Sequence, residues 1–289
     1  MSKCQPFVTR PRHIYTLPRM PVISRFAPSP TGYLHLGHAY SAWMAWRRAD
    51  IFRLRLEDID RTRCRSEYYP AIEEDLHWLG LNWQGEVRVQ SAHMADYAAA
   101  LAKLQARGLL YPCFCTRADI ARAATAPHGP EGIYPGICRH LSSTEQDARI
   151  TSGTPYALRL NVAKAHAEAG VLRFFEENTG WTEAQPERLG DVVLARKDTP
   201  ASYHLCVVHD DALQDITHVI RGEDLREATH IHVLLQNLLG LPTPIYAHHK
   251  LLRGADGKRL AKRDNSATLR ALRAAGADAA VILKSFGES

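Results

Sequence analysis

The sequence predicts an α/β fold: a Rossmann-type parallel sheet split by an inserted segment. The chain opens with a strand, a Gly-bearing loop, a helix and a strand, the start of a doubly wound nucleotide fold. Its middle, from Tyr111 to about Leu189, is irregular, with clusters of Cys, Gly and Pro. Strand-like and helical runs then return.

In chain order, Val22–Phe26 is a short apolar strand and Ala27–Gly37 a loop rich in Pro, Ser and Gly. A helix follows from about His38 to Arg48, and Ile51–Leu56 alternates as a second strand. Ser66–Leu79 and His93–Ala106 space their apolar residues as helices do. Beyond the irregular segment, Ser202–His209 and Ile216–Arg221 read as β-like runs, which puts Tyr203 in an alternating strand and Cys206 in a core strand. Ala228–Leu239 reads as a helix stopped by Gly240-Leu241-Pro242. His248–Asp264 reads as a polar loop rich in Lys and Arg, and Ala267–Ala275 as a short closing helix. The chain thus divides into an N-terminal extension (1–21), a first catalytic half (22–110), an insertion (111–189) and a second half (190–289).

At 289 residues, with 45% apolar and 23% charged residues, the chain has the composition of a globular protein able to bury a sizeable core. No run of about 18 apolar residues occurs, so no membrane-spanning helix is expected. The net charge is +5, but Lys3, Arg10, Arg12 and Arg19 precede Met20 without an acid, so the remainder is nearly neutral. That basic, Pro-containing start is expected to be a disordered tail, or translation begins at Met20. Cys4, Cys64, Cys113, Cys115, Cys138 and Cys206 are too scattered for a small disulfide scaffold. A reduced, cytoplasmic, monomeric protein is expected.

Two patches carry chemistry. His35-Leu36-Gly37-His38 sits at a strand-to-helix junction, where free N–H groups and the helix dipole favour phosphate. Gly37 would let an adenine lie against the backbone, and the two imidazoles can donate to phosphate oxygens. The second patch, Arg259-Leu260-Ala261-Lys262-Arg263, is a basic loop able to neutralise charge that peaks in a transition state. Each patch alone is common; their order across a split α/β domain is not.

Together they resemble the class I glutamyl-tRNA synthetases. Arg25-Phe26-Ala27-Pro28-Ser29-Pro30-Thr31-Gly32-Tyr33-Leu34-His35-Leu36-Gly37-His38 is similar to the opening of that family, and Arg55-Leu56-Glu57-Asp58-Ile59-Asp60 to its second conserved strand. Arg259–Arg263 resembles the class I "KMSKS" loop, with Arg and Ala at its first and third positions and Lys262 at the position expected on ATP. The resemblance runs from Val22 to about Asp264. It implies His35, Gly37, His38 and Lys262 as ATP-binding residues, with His35, His38 and Lys262 catalytic and Mg²⁺ accompanying ATP.

Glutamate requires guanidinium groups for its carboxylates and an acid for its ammonium. Arg25, Arg221 and Glu57 supply these types at strand ends. The resemblance implies that Arg25, Phe26, Ala27, Pro28, Ser29 and Glu57 contact the amino acid, joined by Tyr203 and Arg221.

Cys113-Phe114-Cys115 and Tyr134-Pro135-Gly136-Ile137-Cys138 offer three thiolates for a tetrahedral metal. The fourth ligand is open among Tyr134, His128 and His140 by chemistry alone. The family's Cys-x-Cys and Tyr-x-x-x-Cys pattern implies Tyr134 and one structural Zn²⁺ held by Cys113, Cys115, Tyr134 and Cys138. The chain ends about 25 residues beyond Lys262, so no anticodon-binding domain is expected. That pattern resembles the glutamyl-queuosine tRNA(Asp) synthetase branch, which activates glutamate without tRNA and transfers it to queuosine in the anticodon loop of tRNA(Asp). The alternatives are a truncated glutamyl-tRNA synthetase charging a 3′ end, another H-x-G-H nucleotidyltransferase, and an RNA-binding relic without activity.

Overall fold

The computed structural model describes residues 20–116, 118–120, 133–196, 200–252 and 267–287. Strands β1 (Ile23–Phe26), β2 (Ile51–Leu56) and β3 (Arg88–Val89) form a parallel sheet in that order. A second sheet has the order β7-β6-β10-β9. Its strands β6 (Arg173–Glu176), β9 (His218–Gly222) and β10 (Ile245–His249) are parallel, and β7 (Gly180–Glu183) is antiparallel. The sheets meet at β1 and β9. There the Thr217 N–H donates to the Ile23 carbonyl (3.0 Å) and the Ile23 N–H to Thr217 Oγ1 (2.8 Å). This β1–β9 junction is a topological switch point, where α/β sheets leave a ligand crevice at the carboxyl ends of their strands.

Helices α1 (Leu36–Trp46) and α2 (Tyr68–Trp78) cover the first sheet. Ala39, Ala42 and Ala45 make a buried stripe on α1 that packs with Phe52, Leu54 and Leu56 of β2. Helix α3 (Met94–Ala106) leads into the antiparallel sheet β4 (Leu110–Cys113), β5 (Ala157–Leu160) and β8 (Val193–Arg196). Helices α4 (Ser143–Thr151) and α5 (Val162–Ala169) lie in the same region. A second core joins α3 and α5 to α6 (Tyr203–Leu213) and α7 (Ala228–Leu239). The chain closes with α8 (Leu269–Ala274) and α9 (Ala279–Gly287).

Several sequence expectations are corrected. Ser202–His209 is not a strand: Ser202 caps α6 by accepting from the Leu205 N–H, and Tyr203 and Cys206 are helical. The run Leu205–Val208 looks β-like because this stretch of α6 is apolar on all sides, which is how a buried helix reads. The Tyr111–Leu189 stretch holds four-residue strands and short helices, too brief to show a period. Strand β6, inside that stretch, pairs with β10 in the central sheet, and β8, beyond it, pairs with β5. His248 and His249 belong to β10 instead of a loop.

Asp75 on α2 is 1% exposed, and neither carboxylate oxygen has a hydrogen-bond partner among the described residues. Its nearest cation is Arg273 of α8, at 3.8 Å. Burial lifts its pKa from 3.8 to about 6. An acid raised in the folded state costs stability as pH climbs between its unfolded and folded values. Asp75→Asn is therefore expected to raise the thermal midpoint at about pH 7.5 and to lose that gain near pH 4. An equal effect at both pH values would contradict this.

Candidate active site

The candidate site is a cavity of about 480 Å³ at the β1–β9 junction, lined by Arg25, Phe26, Ala27, Pro28, Ser29, His35, Gly37, His38, Glu57, Tyr203 and Arg221. The structure thus gathers every predicted ATP and glutamate residue except Lys262. Lys262 and the rest of Arg259–Arg263 lie outside the described residues, as do Cys4, His128 and the segment before Met20. The described flanks of that loop border the same cavity. Leu252 lines it, and the Leu269 N–H donates to the Leu34 carbonyl (2.8 Å), beside the bridge from Thr268 to His35.

The histidine motif is built by helix capping. His35 Nδ1 accepts from the Gly37 N–H (3.1 Å), and His38 Nδ1 accepts from the His35 N–H (3.3 Å). This reciprocal box satisfies donors at the start of α1. It also fixes tautomers: an imidazole that accepts at Nδ1 carries its proton on Nε2 when neutral. Each ring then carries its Nε2–H near a helix N-terminus, a donor type that suits phosphate.

The end of the cavity around Arg25 and Glu57 rests on a buried ion network. Arg25, at the end of β1, donates to Asp211 of α6 through Nε (2.8 Å) and Nη2 (3.4 Å). Arg55, fully buried on β2, donates to Asp211 (2.9 Å), Gln214 (3.0 Å) and Glu57 (3.3 Å). Burial works against the Arg55 charge, but Asp211, Glu57 and Asp210 overrule it and hold its pKa raised. Burial opposes the Asp211 charge too, yet Arg25 and Arg55 keep its pKa below the ordinary value. At Glu57 burial wins over the two arginines, and its pKa rises. A substrate ammonium beside Glu57 would favour its ionised form.

Arg221, at the end of β9, is held differently. Its guanidinium donates to His248 Nε2 (3.2 Å), His232 Nδ1 (3.2 Å), Tyr203 Oη (3.4 Å), the Leu225 carbonyl (3.1 Å) and Thr229 Oγ1 (2.8 Å). None of these acceptors is a carboxylate, so the charge stays available to a substrate carboxylate. Burial, then the Arg221 charge, pushes the His248 pKa down to about 4 and the His232 pKa well below 6.5. Both rings are neutral acceptors. His248 Nδ1 faces the Glu176 carboxylate.

A second cavity, of about 570 Å³, shares Ser29, Thr31, Glu57 and Tyr203 with the first. Its other lining residues include Arg63, Arg159, Arg196, Tyr134 and His204. The two cavities therefore meet at Glu57 and Tyr203.

Tyr134, in the wall of this second cavity, packs with a cysteine cluster. Cys113, at the end of β4, Cys115 and Cys138 bring their sulfurs within 4.8 Å of one another. The Cys115–Cys138 separation is 3.5 Å, and all three thiols are free of disulfides. Tyr134 Oη lies 3.3 Å from Cys113 Sγ and 3.7 Å from Cys115 Sγ. A tetrahedral zinc with bonds of about 2.3 Å needs ligand separations of about 3.8 Å, so the S₃O set fits. The Cys138 N–H donates to Tyr134 Oη (2.8 Å) and the Phe114 N–H to Cys138 Sγ (3.4 Å), bonds that favour anionic ligands. His140 is exposed and outside the cluster. Gly136 makes the turn with φ +80°; a Cβ there would strike the Arg139 side chain at 2.9 Å. Arg159 stacks on the Tyr134 ring at 3.8 Å.

Sequence reading missed Asp210, Asp211, Arg55, His232 and His248. A visible signal existed for the first two: adjacent acids inside an apolar run, Cys206-Val207-Val208-His209-Asp210-Asp211, need buried partners.

No helix among the described residues is long and apolar enough to cross a membrane. Residues 21–286 match the family described as tRNA synthetases class I (E and Q), catalytic domain. The chain is 49% identical over 280 residues to the glutamyl-Q tRNA(Asp) synthetase of Rhodobacter capsulatus, covering 92% of this chain and 100% of that one. It is 44% identical over 249 residues to the glutamyl-Q tRNA(Asp) synthetase of Nocardia farcinica, covering 85% and 77%. The crystal structure of a glutamate tRNA ligase from Elizabethkingia meningosepticum in complex with its amino acid superposes with a TM-score of 0.70 at 28% identity. That match covers 85% of this chain, which spans about half (52%) of the ligase. The chain is an enzyme, a ligase of the aminoacyl-tRNA synthetase type, with the class I catalytic fold. It belongs to the class I tRNA synthetases for glutamate and glutamine, in the group whose members carry the name glutamyl-Q tRNA(Asp) synthetase.

Proposed function

We propose that the protein converts ATP and L-glutamate to glutamyl-adenylate without tRNA, then transfers glutamate to queuosine in the anticodon loop of tRNA(Asp). The observation that carries this reading is the single cavity joining a phosphate-type end to an amino-acid end. His35, His38 and the α1 N-terminus form the first end, and Arg25, Glu57 and Arg221 the second.

In the first step the glutamate α-carboxylate attacks the α-phosphorus, and the bond to the bridging oxygen breaks. Pyrophosphate leaves, and the His35 and His38 Nε2–H donors and Lys262 offset the growing charge. Mg²⁺ accompanies the phosphates. Arg25 and Arg221 take the carboxylates, Glu57 takes the ammonium, and Tyr203 Oη completes the pocket. In the second step an acceptor hydroxyl in the adjoining cavity attacks the acyl carbonyl. The ester forms, AMP leaves and the hydroxyl proton passes to solvent. Arg63, Arg159 and Arg196 suit an acceptor that carries phosphates. Cys113, Cys115, Tyr134 and Cys138 would hold a zinc, and it would be structural because protein would fill all four positions.

The test is ATP–pyrophosphate exchange without tRNA. Glutamate should support exchange, and glutamine should be poorer by about 10²-fold or more, because an amide leaves a buried guanidinium without its charge partner. Equal exchange with both amino acids would show that the arginines do not read the substrate charge.

A further inference from the structure

Arg221 does more than hold a carboxylate: it sets the direction of a hydrogen-bond chain that leaves the first cavity and enters the second. A guanidinium can only donate, so His232 Nδ1, 3.2 Å from Arg221 Nη1, must be a bare acceptor. Neutral His232 therefore carries its proton on Nε2. That nitrogen lies 3.1 Å from His204 Nδ1. The shared proton belongs to His232, so His204 Nδ1 is also an acceptor. Neutral His204 must then carry its own proton on Nε2. His204 lines the second cavity, and its Nε2 has no partner among the described residues.

We propose that His204 presents a fixed Nε2–H donor to the acceptor in the second cavity, and that His232 is the positioning residue through which Arg221 fixes it. His204 thus selects an acceptor with a hydrogen-bond-accepting atom at that point, such as a nucleobase carbonyl, a ring nitrogen or a hydroxyl oxygen. It cannot be the base that deprotonates the attacking hydroxyl, since it has no bare nitrogen facing the cavity. The same chain ties the two cavities together, because it starts at the arginine that takes the glutamate carboxylate. Burial and the Arg221 charge push the His204 pKa down to about 4, which keeps the ring neutral in the working range. The role given to the acceptor rests on the proposed function; the tautomers do not.

Two measurements test this in the full-length enzyme. Long-range ¹H–¹⁵N spectra of histidine-labelled protein separate protonated from bare ring nitrogens. The expected pattern for both His204 and His232 is bare Nδ1 and protonated Nε2; a bare Nε2 on His204 overturns the proposal. The second measurement compares single-turnover transfer from preformed adenylate to queuosine-bearing tRNA(Asp) with glutamate-dependent exchange. His204→Phe should lower the transfer-to-exchange ratio about tenfold, and His204→Gln, which keeps a donor, should recover most of it. His232→Leu should lower the same ratio and raise the KM for glutamate. His232→Gln, which can accept from Arg221 and donate to His204, should restore both. A His204→Phe enzyme with an unchanged ratio overturns the proposal. If wild-type enzyme transfers nothing to this tRNA, the proposed acceptor fails, while the spectra still decide the tautomers.

Discussion

Asp211→Asn is expected to destabilise the fold by about 3–5 kcal/mol, the usual cost of stripping one partner from a buried ion pair. Asp211 accepts from both Arg25 and Arg55, and all three side chains are at most 6% exposed. Neutralising it leaves two guanidinium groups facing each other in a medium that screens them poorly. Urea unfolding at neutral pH reads the loss directly. The wild-type contribution is present above the ordinary carboxylate value of 3.8 and drains as pH falls through the depressed folded value, so the two proteins should converge in acid. The same substitution frees Arg25, so the KM for glutamate should rise more than that for ATP. Unchanged stability would mean that Arg55 and Arg25 find other carboxylates and that the network is not cooperative.

Cys138→Ser is expected to lower zinc affinity by more than the roughly 10–100-fold that loss of a supporting hydrogen bond costs a metal site. At the proposed zinc site, metal binding free energy would be folding free energy for the β4–β5–β8 region. Among the described residues, the apolar cluster around the cysteines is small: Tyr111, Cys113, Tyr134 and Cys138 with a few half-buried neighbours. Elemental analysis should find one zinc per wild-type chain and less in the variant, with faster proteolysis of the insertion. Arg159 stacks on Tyr134 and lines the second cavity, so transfer should suffer more than adenylate formation. A wild-type protein that is metal-free as isolated, folded and fully active would refute a structural zinc.

The residues legible in the sequence are those whose chemistry is local. The His35 and His38 capping box spans one helical turn, and the spacing of Cys113, Cys115 and Cys138 suggests a metal, whereas Tyr134 enters only through the family resemblance. Helix Ala228–Leu239 keeps its predicted bounds because Gly240-Leu241-Pro242 stops it, and strand Ile51–Leu56 keeps its own through its alternating pattern. What stayed hidden depends on long-range packing. Arg55 reads as a strand residue until Asp211, 156 positions away, folds against it. Helix α6 reads as a strand because burial of Leu205–Val208 on all sides erases amphipathic periodicity, and only the Ser202 cap marks it. The pairing of β6 with β10 joins segments of four and five residues that no local window resolves. The second cavity is assembled from segments spread between Ser29 and His204, so no motif could announce it.

Offering labelled glutamate to tRNA(Asp) with and without queuosine, and to tRNA(Glu), tests the proposed acceptor most directly. The predicted result is label only on queuosine-bearing tRNA(Asp), remaining with the anticodon-loop fragment after nuclease cleavage. Label on the 3′ end of tRNA(Glu) would contradict it and make the protein a glutamyl-tRNA synthetase of the ordinary kind.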